Sequence, residues 1–382
     1  MISDVYFPRI NGVSTSINTF KNELESLGHQ VTLIVPHYSV TEQADPTVIR
    51  IPSRYLPLDP EDRAMRWGKV LDLQEELSRS NYDILHIQTP FIAHYVGVAL
   101  SKKLRLPRVE TYHTYFEEYL YHYIPFLPKA WMKSVARHYT KTQCNELDAV
   151  VVPSSAMKEV MAQYGVTTYT EVLPTGIELE KFKNGDGNRF RNKYHIPQDR
   201  PTLIFIGRVA FEKNIDFLLH VAAKVRQIIP NVLLLIAGEG PSLSHLKKLA
   251  ENLHLKNNVL FLGYLDRNKE LLDCYACGDA FVFASNTETQ GLVLLEAMAL
   301  GVPLVSTAVM GTKDILAANK GALVCDESVE EFSNAVITLL QDKQLRAKLS
   351  AEALEYVQSW SAQSMATKLL SFYEHVIQNI TK

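Results

Sequence analysis

Residues 280–300 read AFVFASNTETQGLVLLEAMAL. The run Ala280–Ala284 is apolar at every position. A polar loop then carries Glu288 to Gly291, and Leu292–Leu300 resumes as an apolar segment holding one acid, Glu296. A strand without polar alternation is buried on both faces, and a helix directly after it is the crossover of a parallel sheet. The same pattern recurs along the chain. Strands are expected at His29–Val35, Thr47–Pro52, Tyr82–Gln88, Arg108–His113, Asp148–Pro153 and Thr170–Pro174. After residue 201 they are expected at Thr202–Gly207, Asn231–Ala237, Val259–Leu262, Pro303–Ser306 and Gly321–Val324. Helical segments fall at Ser14–Leu27, Ala93–Leu104, Pro128–Asn145 and Ser155–Tyr164. This is an α/β protein of two doubly wound, Rossmann-like domains, with a ligand cleft expected where the carboxyl ends of the sheets meet. The polar, glycine-bearing stretch Leu179–Asn192 reads as the linker. The domains are placed at 1–176 and 177–360, with a last helix, 361–382, packing back on the first.

The chain has 382 residues, 47% of them apolar and 21% charged, with 39 basic against 42 acidic side chains. That composition is globular, and its balance excludes a generally basic nucleic-acid binder. Four scattered cysteines fit a reducing compartment. No run approaches the roughly 18 apolar residues of a membrane span, so a cytoplasmic protein, at most peripheral on a membrane face, is expected. The first strand has almost no residues before it, and a start a few residues late is the favoured explanation.

Two constellations can carry chemistry. In the first, the N–H groups of Gln290, Gly291 and Leu292 stand at a helix start, where anions or hydroxyls can bind. Glu288 and Glu296 can accept hydrogen bonds from sugar hydroxyls. A loop acid and a first-turn acid are ordinarily structural, but Glu296 lies among Leu294, Leu295, Ala297 and Met298 and needs a partner if buried. The second is Phe205-Ile-Gly-Arg-Val-Ala-Phe-Glu-Lys-Asn214, which sets Arg208 and Lys213 either side of the next helix start. Two cations there oppose the helix dipole unless an anion such as a diphosphate bridges them. Cys274-x-x-Cys277 lacks a second pair and reads as helix packing; no metal site is expected. The glycines of Ala237-Gly-Glu-Gly-Pro241 lack the third member of a dinucleotide fingerprint.

Taken together, Gly-Arg-x-x-x-x-Lys at 207–213 and Glu-x7-Glu at 288–296 resemble the retaining GT-B enzymes of glycosyltransferase family 4. The resemblance extends to Asn11-Gly12-Val13, Thr-Tyr-His113-Thr, Pro-Thr-Gly-Ile at 174–177, the 237–241 loop and Ser359-Trp360. It implies transfer of a hexosyl group, glucose first, from a nucleoside diphosphate sugar, UDP first, to a hydroxyl with retention and without metal or other cofactor. Arg208 and Lys213 would hold the diphosphate, Glu296 the ribose and Glu288 the sugar; Gly12 would face the phosphates and His113 the anomeric centre. His86-Ile-Gln88 departs from the His-x-His of many relatives, which puts an acceptor role for position 88 in doubt.

Residues 112–141 are dense in aromatics, and Lys129, Lys133, Arg137 and Lys141 recur every fourth residue beside Trp131. Eight cations in 101–141 exceed the three acids by five, so the remainder carries −8. A basic stripe with an aromatic flank suits an anionic membrane surface, at about 1 kcal/mol per cation; a solvated helix face is the plainer reading. Thr-Tyr-His-Thr followed by Glu117-Glu118-Tyr-Leu resembles the diacylglycerol-glycosylating branch of the family, implying a membrane-lipid acceptor. A soluble saccharide or polysaccharide acceptor, or a UDP-sugar epimerase on the same fold, is the alternative.

Overall fold

The computed structural model describes residues 1–9, 11–38, 45–56, 59–113, 129–267 and 269–379. They divide into two compact units, Met1–Gly176 with the helix beginning at Ala362, and Ile177–Ser361.

In the first unit β1 (Leu33–Pro36) pairs in parallel with β2 (Val48–Ile51). A run of parallel strands follows: β5 (Leu85–Ile87), β6 (Arg108–Thr111), β7 (Ala149–Val152) and β8 (Tyr169–Val172). Ile2 joins the two sets, bridging Ile34 on one side and Ile87 on the other. Its N–H donates to the His86 carbonyl and its own carbonyl accepts from Gln88 N–H, both at 2.9 Å. The three residues Met1–Ser3 thus serve as the innermost strand, and order reverses on either side of them as in a doubly wound sheet. Between β2 and β5 lies a small antiparallel pair, β3 (Ser53–Leu56) and β4 (Asp59–Met65). Two short helices follow it, Trp67–Leu71 and Gln74–Ser78. None of these four elements is expected from the sequence.

The helix Ala362–Asn379 buries Met365, Leu369, Phe372 and Val376 against Phe20, Leu24, Val109 and Val151. Tyr373 Oη lies 2.5 Å from His86 Nδ1, whose other ring nitrogen meets Thr111 Oγ1 at 2.7 Å. Burial holds His86 well below the usual imidazole range, so it is a neutral structural residue.

The second unit is one six-stranded parallel sheet of β9 (Thr202–Ile206), β10 (Leu233–Ala237), β11 (Val259–Gly263), β12 (Ala280–Phe283), β13 (Leu304–Ser306) and β14 (Ala322–Val324). Their order is β11-β10-β9-β12-β13-β14. Residues of β9, β10, β12 and β13 are buried throughout, as strands covered on both faces must be. Order reverses between β9 and β12, where such sheets place a ligand.

One expectation is corrected here. Leu179–Asn192 is not a linker but a 3-10 turn, Leu179–Phe182, and a helix, Gly187–Lys193, packed into the second unit. Asp186 caps that helix, Phe190 is fully buried, and the Arg191 guanidinium donates to the carbonyls of Pro197, Arg200 and Cys277.

Candidate active site

The site is built on the carboxyl ends of β9 and β12. After β9 the chain turns at Gly207, presents Arg208, and forms a 3-10 turn, Phe211–Lys213. Asn214, in the left-handed region at φ 54°, ends that turn and opens the helix Ile215–Arg226. Arg208 and Lys213 therefore both precede the helix, rather than flanking its start as expected. After β12 the loop runs from Ser285 to Gly291, which caps the helix Leu292–Ala299 at φ 99°.

The two loops are tied together. Lys213 Nζ lies 2.5 Å from Glu288 Oε2, with both side chains less than a quarter exposed. Ser285 Oγ donates to the Glu212 carbonyl, and Arg208 reaches Glu212 at 3.8 Å while remaining half-exposed. From the far side Gly311 N–H donates to the Glu288 carbonyl at 2.8 Å. A Cβ on Gly311 would stand 2.0 Å from the Thr289 oxygen, so only glycine lets this chain support the loop. Gln290 is buried, Gly291 forms the cap, and Leu292 opens the helix.

Glu296 sits one turn into that helix and is buried. Its Oε2 accepts from the Tyr275 hydroxyl at 2.7 Å and its Oε1 from Arg267 at 3.1 Å. Burial raises its carboxyl above the ordinary value, against the pull of Arg267 and Tyr275. These two partners are absent from the sequence reading, which had only the rule that a buried acid needs one. Cys274 and Cys277 flank Tyr275; Cys277 Sγ donates to the Cys274 carbonyl, and both are buried helix packing. Among the described residues, no group of three or more His, Cys, Asp or Glu is placed to hold a metal ion.

The first unit holds Gly12 and His113. Gly12 is the first residue of the helix Gly12–Ser26, whose start Asn11 caps by accepting from Ser14 N–H. A Cβ at Gly12 would meet nothing within 4 Å, so that helix start is open. His113 follows β6, and its Nε2 lies 3.0 Å from the Gln88 amide oxygen. The Gln88 side chain thus meets His113. His113 keeps some surface accessibility, yet the surrounding protein pushes its imidazole down to about 4. It is therefore neutral at working pH. Since its folded value lies below the unfolded 6.5, the unfolded chain binds the extra proton between about pH 4 and 6.5, and stability rises with pH through that window. His113→Gln should flatten the melting-temperature slope over that range by a few degrees; an unchanged slope counts against the assignment.

On the helix Lys129–Asn145, Trp131 and Val135 stand exposed one turn apart, while Met132 and Ala136 face the core. Arg137 stacks 5.6 Å over the Tyr164 ring, and Lys141 reaches Gly165, which caps the helix Ser155–Tyr164. These two cations lean on the neighbouring helix, and Lys133 is half-buried. Residues 114–128, which hold most of the aromatic stretch, and the Lys129 side chain lie outside the described residues. Among the described residues, no helix is long and apolar enough to cross a membrane.

Residues 10–181 match the family model described as Glycosyltransferase Family 4, and residues 186–356 that of Glycosyl transferases group 1. The alpha-monoglucosyldiacylglycerol synthase of Streptococcus pneumoniae is 34% identical over 315 residues, covering 80% of this chain and 70% of that one. The chain belongs to glycosyltransferase family 4. A synthase of the same description from Acholeplasma laidlawii is 31% identical, covering 80% of this chain and 79% of its own. The crystal structure of Anabaena HepE in complex with UDP-glucose superposes with a TM-score of 0.74 at 18% identity, covering 98% of each chain. This family 4 glycosyltransferase accordingly has the GT-B fold, two Rossmann-like units in one chain.

Proposed function

We propose that the protein transfers glucose from UDP-glucose to the hydroxyl of diacylglycerol, with retention and without a metal. The observation that carries this reading is the Lys213–Glu288 pair. It sets a cation for a diphosphate and an acceptor for sugar hydroxyls side by side at the switch point of the sheet. The names of the Streptococcus pneumoniae and Acholeplasma laidlawii synthases, and the UDP-glucose in the Anabaena complex, support the donor sugar, nucleotide and acceptor.

Each residue then has a task. Arg208 and Lys213 neutralise the departing diphosphate, and Gln290, Gly291 and Leu292 turn their N–H groups towards it. Glu288 accepts from the sugar hydroxyls and Glu296 from the ribose. Gly12 leaves room for phosphate at an open helix start, and neutral His113 offers its ring or carbonyl to the sugar without adding a charge that would repel a developing oxocarbenium ion. A departing phosphate oxygen takes the proton of the acceptor hydroxyl on the face it vacates, which retains configuration. The charge that a metal would neutralise falls to the two cations, so transfer should survive EDTA.

The deciding experiment incubates the full chain with labelled UDP-glucose, UDP-galactose, GDP-mannose and diacylglycerol-containing vesicles. α-Glucosyldiacylglycerol formed from UDP-glucose alone is the expected product. A water-soluble glycoside, or a rearranged sugar without acceptor, would replace this reading.

Docking on the inner face of the cell membrane is part of the proposal, with the exposed Trp131 and Val135 entering the headgroup layer and the cations elsewhere around the same helix adding longer-range attraction to anionic lipid. Trp131→Ala combined with Lys129/Lys133/Arg137→Glu should reduce co-sedimentation with phosphatidylglycerol vesicles at low salt at least tenfold. It should lower lipid glycosylation in step. Unaltered binding and turnover would remove the membrane role from this helix.

A further inference from the structure

We infer that Tyr275 is a positioning residue for nucleotide recognition, its phenol fixing Glu296 as the acceptor for the donor's ribose hydroxyls. This rests on the reading of Glu296 as the ribose-binding acid. The two oxygens of that carboxylate stand in different surroundings. Oε2 faces Tyr275, which is fully buried on the helix Glu270–Ala276 with its ring stacked 5.8 Å from Phe281. Oε1 faces Arg267, whose side chain is 43% exposed. A ligand hydroxyl can approach the carboxylate from the part-exposed Arg267 side, whereas Tyr275 on the other side is fully buried.

The physical consequence is a division of labour. A buried carboxylate without a fixed donor would turn or take up a proton. The phenol supplies that donor from inside the core and needs no rearrangement when ligand arrives. Burial also drives the Tyr275 hydroxyl well above its ordinary value, so it stays a donor at any working pH. Arg267 holds Oε1 from the solvent-facing side and can yield it to the ribose. A merely structural Tyr275–Glu296 bond would affect folding alone; a positioning role affects which nucleotides are distinguished.

The test titrates the full chain calorimetrically with UDP and GDP, each beside its 2′,3′-dideoxy form, with melting temperatures recorded in parallel. A hydrogen bond to a charged acceptor corresponds to roughly ten- to hundredfold in affinity, so the wild-type protein should prefer the ribose form by about that factor. Tyr275→Phe should bring the preference close to one while leaving the dideoxy affinity unchanged, which also shows that the site is folded. Arg267→Met, with Tyr275 as the remaining partner of Glu296, should keep the preference. Full preference in Tyr275→Phe, or its loss in Arg267→Met, overturns the role of Tyr275. Absence of any preference in the wild-type protein instead overturns the ribose role of Glu296, and this inference falls with it.

Discussion

Lys213→Ala should lower kcat/KM for sugar transfer by two orders of magnitude or more, because one lost contact to the departing charge costs about 3 kcal/mol. Glu288→Ala should act similarly through the sugar. The two residues form one ion pair in a part-buried place, so each single variant takes that pairing from the charge that remains. Such a charge costs several kcal/mol when fully buried and less where water reaches it. A loss of roughly 1–3 kcal/mol in stability is expected for each single change on that basis. The double variant should melt above either single one, since neither half of the pair then remains. Activity is read as labelled product and stability by melting. Substantial turnover in both single variants would sink the assignment of this site, and a double variant less stable than both would deny the coupling.

The second large effect is structural and reaches the site indirectly. Gly238 lies just past β10 at φ 134°, and a Cβ there would stand 1.9 Å from the Gly207 carbonyl oxygen. That neighbour is backbone and cannot rotate away. Gly238 N–H also donates to the Gly263 carbonyl, and Gly207 N–H to that of Ala237, so three strand ends are pinned at one point. Gly238→Ala must pull them apart, displacing Arg208 next to Gly207. We expect at least ~3 kcal/mol of lost stability, seen as a fall of about 10 °C in melting temperature, with donor binding lost. Gly263→Ala is the natural comparison. At φ 71° it pays the left-handed cost of about 1–2 kcal/mol, but its Cβ would meet only the Glu239 carboxylate at 3.8 Å. Equal effects of the two changes would show that the close approach at Gly238 does not govern this edge.

The parallel strands of the second unit were legible because runs such as Leu-Ile-Phe-Ile at 203–206 and Ala-Phe-Val-Phe at 280–283 are apolar at every position. Only their ends moved, where the chain turns before the apolar pattern stops. The antiparallel pair β3–β4 was not legible, since Pro52, Pro60 and a cluster of charges mask any alternation. The helix Gly187–Lys193 was hidden for a related reason: two glycines and a polar run surround its one buried apolar residue, Phe190. In the site, the residue types that handle phosphate and sugar could be read locally, but their pairings could not. Lys213 meets Glu288 across 75 positions, and Glu296 meets Tyr275 across 21 and Arg267 across 29. Such partners follow from which strand ends lie side by side, and spacing along the chain does not encode that. The same holds for Gln88, whose place beside His113 follows from β5 pairing with β6.

The second unit is one unbroken stretch of chain whose two ends are fastened to each other: Ile177 N–H donates to the Trp360 carbonyl at 2.8 Å, and Ile177 bridges Ser361. The first unit is interrupted by that whole stretch, and the helix that closes over Phe20, Leu24, Val109 and Val151 is made after it. On the ribosome the usual order is therefore inverted. The half that is translated first waits, with an apolar face uncovered, until the half translated second has already been completed. Slowed elongation between residues 177 and 361 would lengthen that wait, making the N-terminal half the one in need of a chaperone.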